Sequence, residues 1–124
     1  MRTDTMLFVA DVEASSRWYQ EFLGMQSGHG GAEFEMLMDD DTPLLQLHRL
    51  SADHDHGVRT DGALGNGVVV FVHVEDVDAA HARAVELGID VVEAPHENEL
   101  AGMRECTVRD PDGYTLTLCK SRWG

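Results

Sequence analysis

Two stretches of the chain share one pattern of apolar and polar positions. Leu7-Phe8-Val9-Ala10-Asp11-Val12-Glu13-Ala14 and Val72-His73-Val74-Glu75-Asp76-Val77-Asp78-Ala79 each run from a short apolar strand to an aspartate, then Val-acid-Ala. Beyond the aspartate the apolar residues recur at three- and four-residue spacing: Val12, Ser15, Tyr19 and Phe22, then Val77, Ala80, Ala84 and Leu87. That spacing predicts one helical face over 12–23 and another over 77–87. Asp11 and Asp76 stand at the N-cap, where a carboxylate accepts from free N–H groups of the first turn. Gly24 and Gly88 follow the last apolar residue of each helix, as left-handed stop residues do.

The later parts of the halves match as well. Leu44-Leu45-Gln46-Leu47-His48 corresponds to Thr115-Leu116-Thr117-Leu118-Cys119, so Gln46 pairs with Thr117. Each run follows an acidic turn, and Asp110-Pro111-Asp112-Gly113 is a strong hairpin signal, with Pro early and Gly where positive φ is needed. Further strands are predicted near 25–27, 32–38, 89–94 and 104–108, with 95–102 as a polar loop. The repeat predicts an α+β domain of two tandem β-α-β-β-β modules, about 1–50 and 67–124, joined by a linker over about 51–66. The linker carries Asp53-His54-Asp55-His56-Gly57 and serves as a connection or a flap.

Alternation assigns the faces of the strands. Leu7, Val9, Leu45, Leu47, Val70, Val72, Leu116 and Leu118 share one parity and are expected beneath the helices. The opposite parity gives Asp4, Met6, Phe8, Gln46, His48, Val69, Phe71, His73, Thr115, Thr117 and Cys119. A curved sheet with its helices on the outer face leaves that mixed set to line a cavity of the kind that takes small molecules, or simply to fill space between the sheets.

Composition narrows the classes. The chain has 124 residues, 43% of them hydrophobic, which suits one domain with a real core. A net charge of −14, with Lys120 as the single lysine, disfavours nucleic acid and anionic membranes as partners. No apolar run has the length of a membrane span or the form of a signal peptide, so the expected location is the cytoplasm, with Cys106 and Cys119 reduced.

Phe8-Val9-Ala10-Asp11-Val12-Glu13-Ala14-Ser15 with Trp18-Tyr19 and Phe22-Leu23-Gly24, Glu86-Leu87-Gly88, and Arg109-Asp110-Pro111-Asp112-Gly113-Tyr114 lie in an order and spacing that cover nearly the whole chain. In these segments the sequence resembles the glyoxalase/bleomycin-resistance/dioxygenase (vicinal oxygen chelate) superfamily. The resemblance implies paired β-α-β-β-β modules, a U-shaped cavity and, in many relatives, a homodimer. It also implies four positions at which many relatives hold a divalent metal, here Asp4, Gln46, Val69 and Thr117. Of these only Asp4 is a good ligand. Valine cannot coordinate, and the set lacks the imidazoles and carboxylates that such ions require. No metal cofactor is therefore expected at these positions. An alternative is a displaced site for Fe, Mn, Ni or Zn built from Asp4, His48 and His73.

Two functional classes follow. One is a metal-free binder of a hydrophobic or cationic small molecule, of the resistance or sequestration type, with Trp18 and Trp123 as reporters of binding. The other is a lyase, isomerase or dioxygenase that uses the displaced metal or metal-free acid–base chemistry, with His48, His73 and Cys119 as candidate catalytic groups and a Cys119–His48 pair as one arrangement. The turn Gly28–Gly31 is not a phosphate cradle, because no helix follows it. Arg49, Arg104 and Arg109 either meet an anionic ligand or pair with surface carboxylates.

Overall fold

The computed structural model describes residues 1–51 and 56–123. It divides into two compact units, Met1–Gly62 and Ala63–Gly124, and the division falls inside the expected linker. Each unit is one β-α-β-β-β module, so the fold is α+β as the repeat predicts.

Module one contains β1 (Met6–Val9), α1 (Val12–Leu23), β2 (Gln26–Ser27), β3 (Phe34–Asp39) and β4 (Thr42–Arg49). Module two contains β5 (Val69–His73), α2 (Val77–Glu86), β6 (Asp90–Asn98), β7 (Met103–Arg109) and β8 (Thr115–Ser121). The sheets have the same order, β1-β4-β3-β2 and β5-β8-β7-β6. In each, the first strand lies parallel to the last and the other pairs are antiparallel. Met6 pairs with Gln46 and Val69 with Thr115.

Both helices start as their sequences dictate. Asp11 accepts from the Ala14 N–H, and Asp76 from the Ala79 N–H, each at 3.0 Å. Gly24 closes α1 in the left-handed region at φ 73°. α2 stops one residue before the expected end, with Leu87 as its cap and Gly88 beyond it at φ 69°. Leu7, Val9, Leu45, Leu47, Leu116 and Leu118 are buried, as their parity requires, whereas Val70 and Val72 are only half-buried.

Two strands extend past their expected limits through a proline. β4 begins at Thr42 and includes Pro43, and β6 runs on through Pro95 to Asn98, into the segment expected as loop. The ladder register shifts beside both, between Leu37 and Met38 opposite Pro43 and between Glu93 and His96 around Pro95. A bulge leaves a position that asks for no ladder N–H, and that is where a strand tolerates proline. Among the described residues no helix is long and apolar enough to cross a membrane.

Candidate functional site

In module one the face turned away from α1 carries Met6, Phe8, Gln46 and His48. Phe8 lies opposite His48 in the ladder, and their rings are 4.9 Å apart. His56 reaches back from the linker to the same two rings, at 6.1 Å from Phe8 and 5.9 Å from His48. Phe8 is consequently buried rather than open. His48 Nδ1 also lies 2.7 Å from the Arg49 carbonyl. The other members of the linker cluster, Asp53, His54 and Asp55, lie outside the described residues.

In module two the equivalent face carries Val69, Phe71, His73, Thr115, Thr117 and Cys119. Val69 and Phe71 are 44% and 47% exposed, an open apolar strip along β5. Thr117 and Cys119 on the central strand are buried. The Thr117 hydroxyl is 2.9 Å from that of Thr107. The Cys119 sulfur lies 3.7 Å from the Val72 carbonyl and 3.6 Å from His73 Nδ1. The imidazole beside Cys119 is therefore His73, the residue opposite it in the ladder. The repeat explains the arrangement: the Phe8/His48 pair of module one becomes His73/Cys119 in module two. Burial pushes the Cys119 thiol pKa up, and the Glu105 charge adds to the effect. This is the opposite of what an activated nucleophile needs.

The four positions that the resemblance marks for a metal have poor donor chemistry. Asp4 is paired with Arg2 at 3.1 Å, and Gln46 is a neutral amide. Both border one small hollow of about 220 Å³ at the start of β1. Val69 offers no donor, and the Thr117 hydroxyl is engaged by Thr107. These residues do not fit a divalent ion. Among the described residues no three His, Cys, Asp or Glu side chains come together as a metal cluster.

Two buried carboxylates escaped the sequence reading. Glu35 is 2% exposed on the helix side of β3. One oxygen accepts from Ser16 and Ser27, both at 2.7 Å, and the other from the N–H groups of His29, Gly30 and Met36 at 2.9–3.0 Å. Burial alone would raise its pKa, but the donors from Ser27, Gly30, Ser16 and His29 prevail and hold it at about 2. The glycine turn at 28–31 thus cradles an anion after all, and that anion is the chain's own carboxylate. The signal was present: Glu35 has the parity of Leu37, a charge on the core face of a strand. Glu105 on β7 is 7% exposed and shares a face with Thr107 and, across the ladder, Cys119. Its parity was readable by the same rule.

The three candidate anion-binding arginines are paired with carboxylates. Arg49 meets Glu33 at 2.9 Å, Arg104 meets Asp78 at 2.7 Å and Glu97 at 3.1 Å, and Arg109 meets Asp90 at 3.8 Å. Neither tryptophan belongs to the faces described above. Trp18 lies on α1 against Tyr19 and Phe22, and Trp123 is exposed after β8.

A family model described as Glyoxalase/Bleomycin resistance protein/Dioxygenase superfamily matches residues 3–118. No curated protein sequence matches at a significant level. Several solved structures share the fold. A glyoxalase-related enzyme from Fulvimarina pelagi superposes with a TM-score of 0.80 at 20% identity, over 98% of this chain and 88% of that one. A protein of unknown function from Agrobacterium tumefaciens str. C58 gives 0.79 at 20%, over 98% and 94%. TioX from Micromonospora sp. ML1 gives 0.72 at 21%, over 98% and 96%.

Proposed function

This chain belongs to the Glyoxalase/Bleomycin resistance protein/Dioxygenase superfamily, and we propose that within it the protein binds a small molecule without a metal. One observation carries the proposal: the donor set at the four metal positions of the family. Asp4 is tied to an arginine, Gln46 is uncharged, Val69 is apolar and the Thr117 hydroxyl is already engaged. A divalent ion in protein needs several anionic or imidazole donors, whereas Val69 is excluded by type and Asp4 and Thr117 already hold other bonds. The exposed Val69 and Phe71 supply apolar area to a ligand, and His73 and Thr115 beside them supply polar contacts. A homodimer and a cytoplasmic location belong to the same reading.

Elemental analysis tests it. Tag-free protein is dialysed against Mn, Fe, Ni and Zn in turn, then against buffer. The expected result is no stoichiometric metal. A metal retained at one per chain and lost in His48→Ala overturns the proposal in favour of a lyase, isomerase or dioxygenase with a displaced centre.

A further inference from the structure

We infer that the sheet face of module two turned away from α2, exposed along β5 and buried along β7 and β8, holds a recognition site for a cationic group, a protonated amine or guanidinium, with Glu105 as its counter-ion. The inference rests on the binding reading above and gives the ligand its chemistry.

Three carboxylates of the described residues are buried, and their surroundings differ. Glu35 accepts from five donors. Asp110 accepts from the N–H groups of Asp112 and Tyr114 and so shapes the turn before β8. Glu105 has one neutral donor, the Asn98 side-chain amide at 3.2 Å, and among the described residues it forms no ion pair. A carboxylate offers about four lone-pair sites, and since no buried side-chain oxygen among the described residues lacks a partner, the Glu105 oxygen without a donor still reaches solvent. The first two carboxylates have evident structural work. Glu105 holds only the Asn98 amide, whose oxygen accepts from Ala101 in the turn before β7, and its second oxygen, which has no donor among the described residues, points to a partner from outside.

Its neighbours suit a cation attached to an apolar body. In the ladder Glu105 lies opposite Cys119, and Cys119 opposite His73. The next row on the same face is Thr107, Thr117 and Phe71. The two threonine hydroxyls satisfy each other and leave a neutral floor. Phe71, 47% exposed, stands two strands from Glu105, roughly 10 Å at ordinary strand spacing. A ligand whose ammonium meets Glu105 and whose apolar part covers Phe71 satisfies the carboxylate and removes apolar area from water together. The net charge of −14 raises the local concentration of any such cation.

The test compares 4-phenylbutylamine, 4-phenylbutanol and 4-phenylbutyrate, titrated at high salt into uniformly ¹⁵N-labelled protein and followed by amide shifts. High salt suppresses the general acidic field and leaves a direct contact. The amine is expected to shift the amides of Glu105, Thr107, Cys119 and Phe71. It is expected to bind about tenfold more tightly than the alcohol, as one charge-assisted hydrogen bond provides, with the carboxylate weakest. Glu105→Gln should remove the preference for the amine and leave the alcohol unchanged, whereas the same charge change on the helix, Glu13→Gln, should do neither. The three-compound comparison on the unaltered protein needs no variant, so a poorly folding Glu105→Gln leaves the test intact. Equal affinity for amine and alcohol at this face overturns the inference while leaving the binding reading in place, and so does a preference that survives Glu105→Gln. No shift with any of the three removes the site. Failure of the underlying reading shows separately, as stoichiometric metal.

Discussion

Replacing Glu35 by glutamine changes one atom of a buried side chain and should alter the acid stability of module one. The folded carboxyl titrates at about 2, against an ordinary value of 4.5. The folded pKa lies below the unfolded one, so the unfolded chain takes up a proton first as pH falls. The stabilisation is complete above pH 4.5 and drains as pH drops toward 2. The gap corresponds to about 3 kcal/mol. With those two values, roughly 2 kcal/mol of it is gone by pH 3. Glutamine can still accept the three backbone N–H groups through its oxygen, and its amide can face the rotated hydroxyls of Ser16 and Ser27. It carries no charge to strengthen those bonds, and charged acceptors contribute about 1.5–3 kcal/mol. Urea unfolding followed by Trp18 fluorescence in a Trp123→Phe background reads the event, because Trp18 and Ser16 share α1. Glu35→Gln should cost about 2–3 kcal/mol at pH 7 and only about 1 kcal/mol at pH 3. A gap that keeps its size between those pH values refutes the account of Glu35 as an ionised anchor.

Three further outcomes follow from the same geometry. Asp11→Ala and Asp76→Ala each remove one helix cap and should cost about 1 kcal/mol in thermal unfolding, in separate modules and therefore additively. Cys119, buried and with its pKa raised by burial and then by Glu105, should resist a soluble disulfide reagent in native protein and react at once in denaturant; rapid native labelling contradicts its placement. Arg104 donates to both oxygens of Asp78, and this bond holds the Asp78 carboxyl below its usual pKa; in Arg104→Leu the Asp78 titration followed by NMR should move up toward the ordinary aspartate range.

The sequence was most legible where a local rule and the repeat agreed. Asp11 and Asp76 cap helices because each sits before an apolar stripe, and the duplication states the same thing twice. The parity of Leu45, Leu47, Leu116 and Leu118 gave the buried face correctly because strand alternation has no competing solution. Reading failed at Pro43 and Pro95, where proline argues against a strand unless a bulge excuses it, and each bulge, an extra residue on the proline's own strand, shows only in the pairing with the neighbouring strand. Correspondence between the repeats set Cys119 and His48 in matching places without showing what lies near either, and the ladder register puts His73 beside Cys119. Glu35 and Glu105 show the remaining gap. Alternation marks both as inward or face-lining charges, but only the folded turn reveals that one carboxylate is saturated with donors and the other is not.

The order of strands within each sheet also bears on how the chain is made. The first strand of a module pairs with its last, Met6 with Gln46 and Val69 with Thr115, so neither sheet can close until its whole module has been synthesised. During translation β1 emerges first and waits, an apolar strand with bare edges, until β4 arrives to cover one of them. Such distant pairing makes closure the slow step of folding. The wait ends at Arg49, however, long before the ribosome reaches β5. A duplicated module therefore divides one long exposure of unpaired strand into two shorter ones, and the acidic turns at Asp39-Asp40-Asp41 and Asp110–Asp112 add like charge beside each closing strand while it waits.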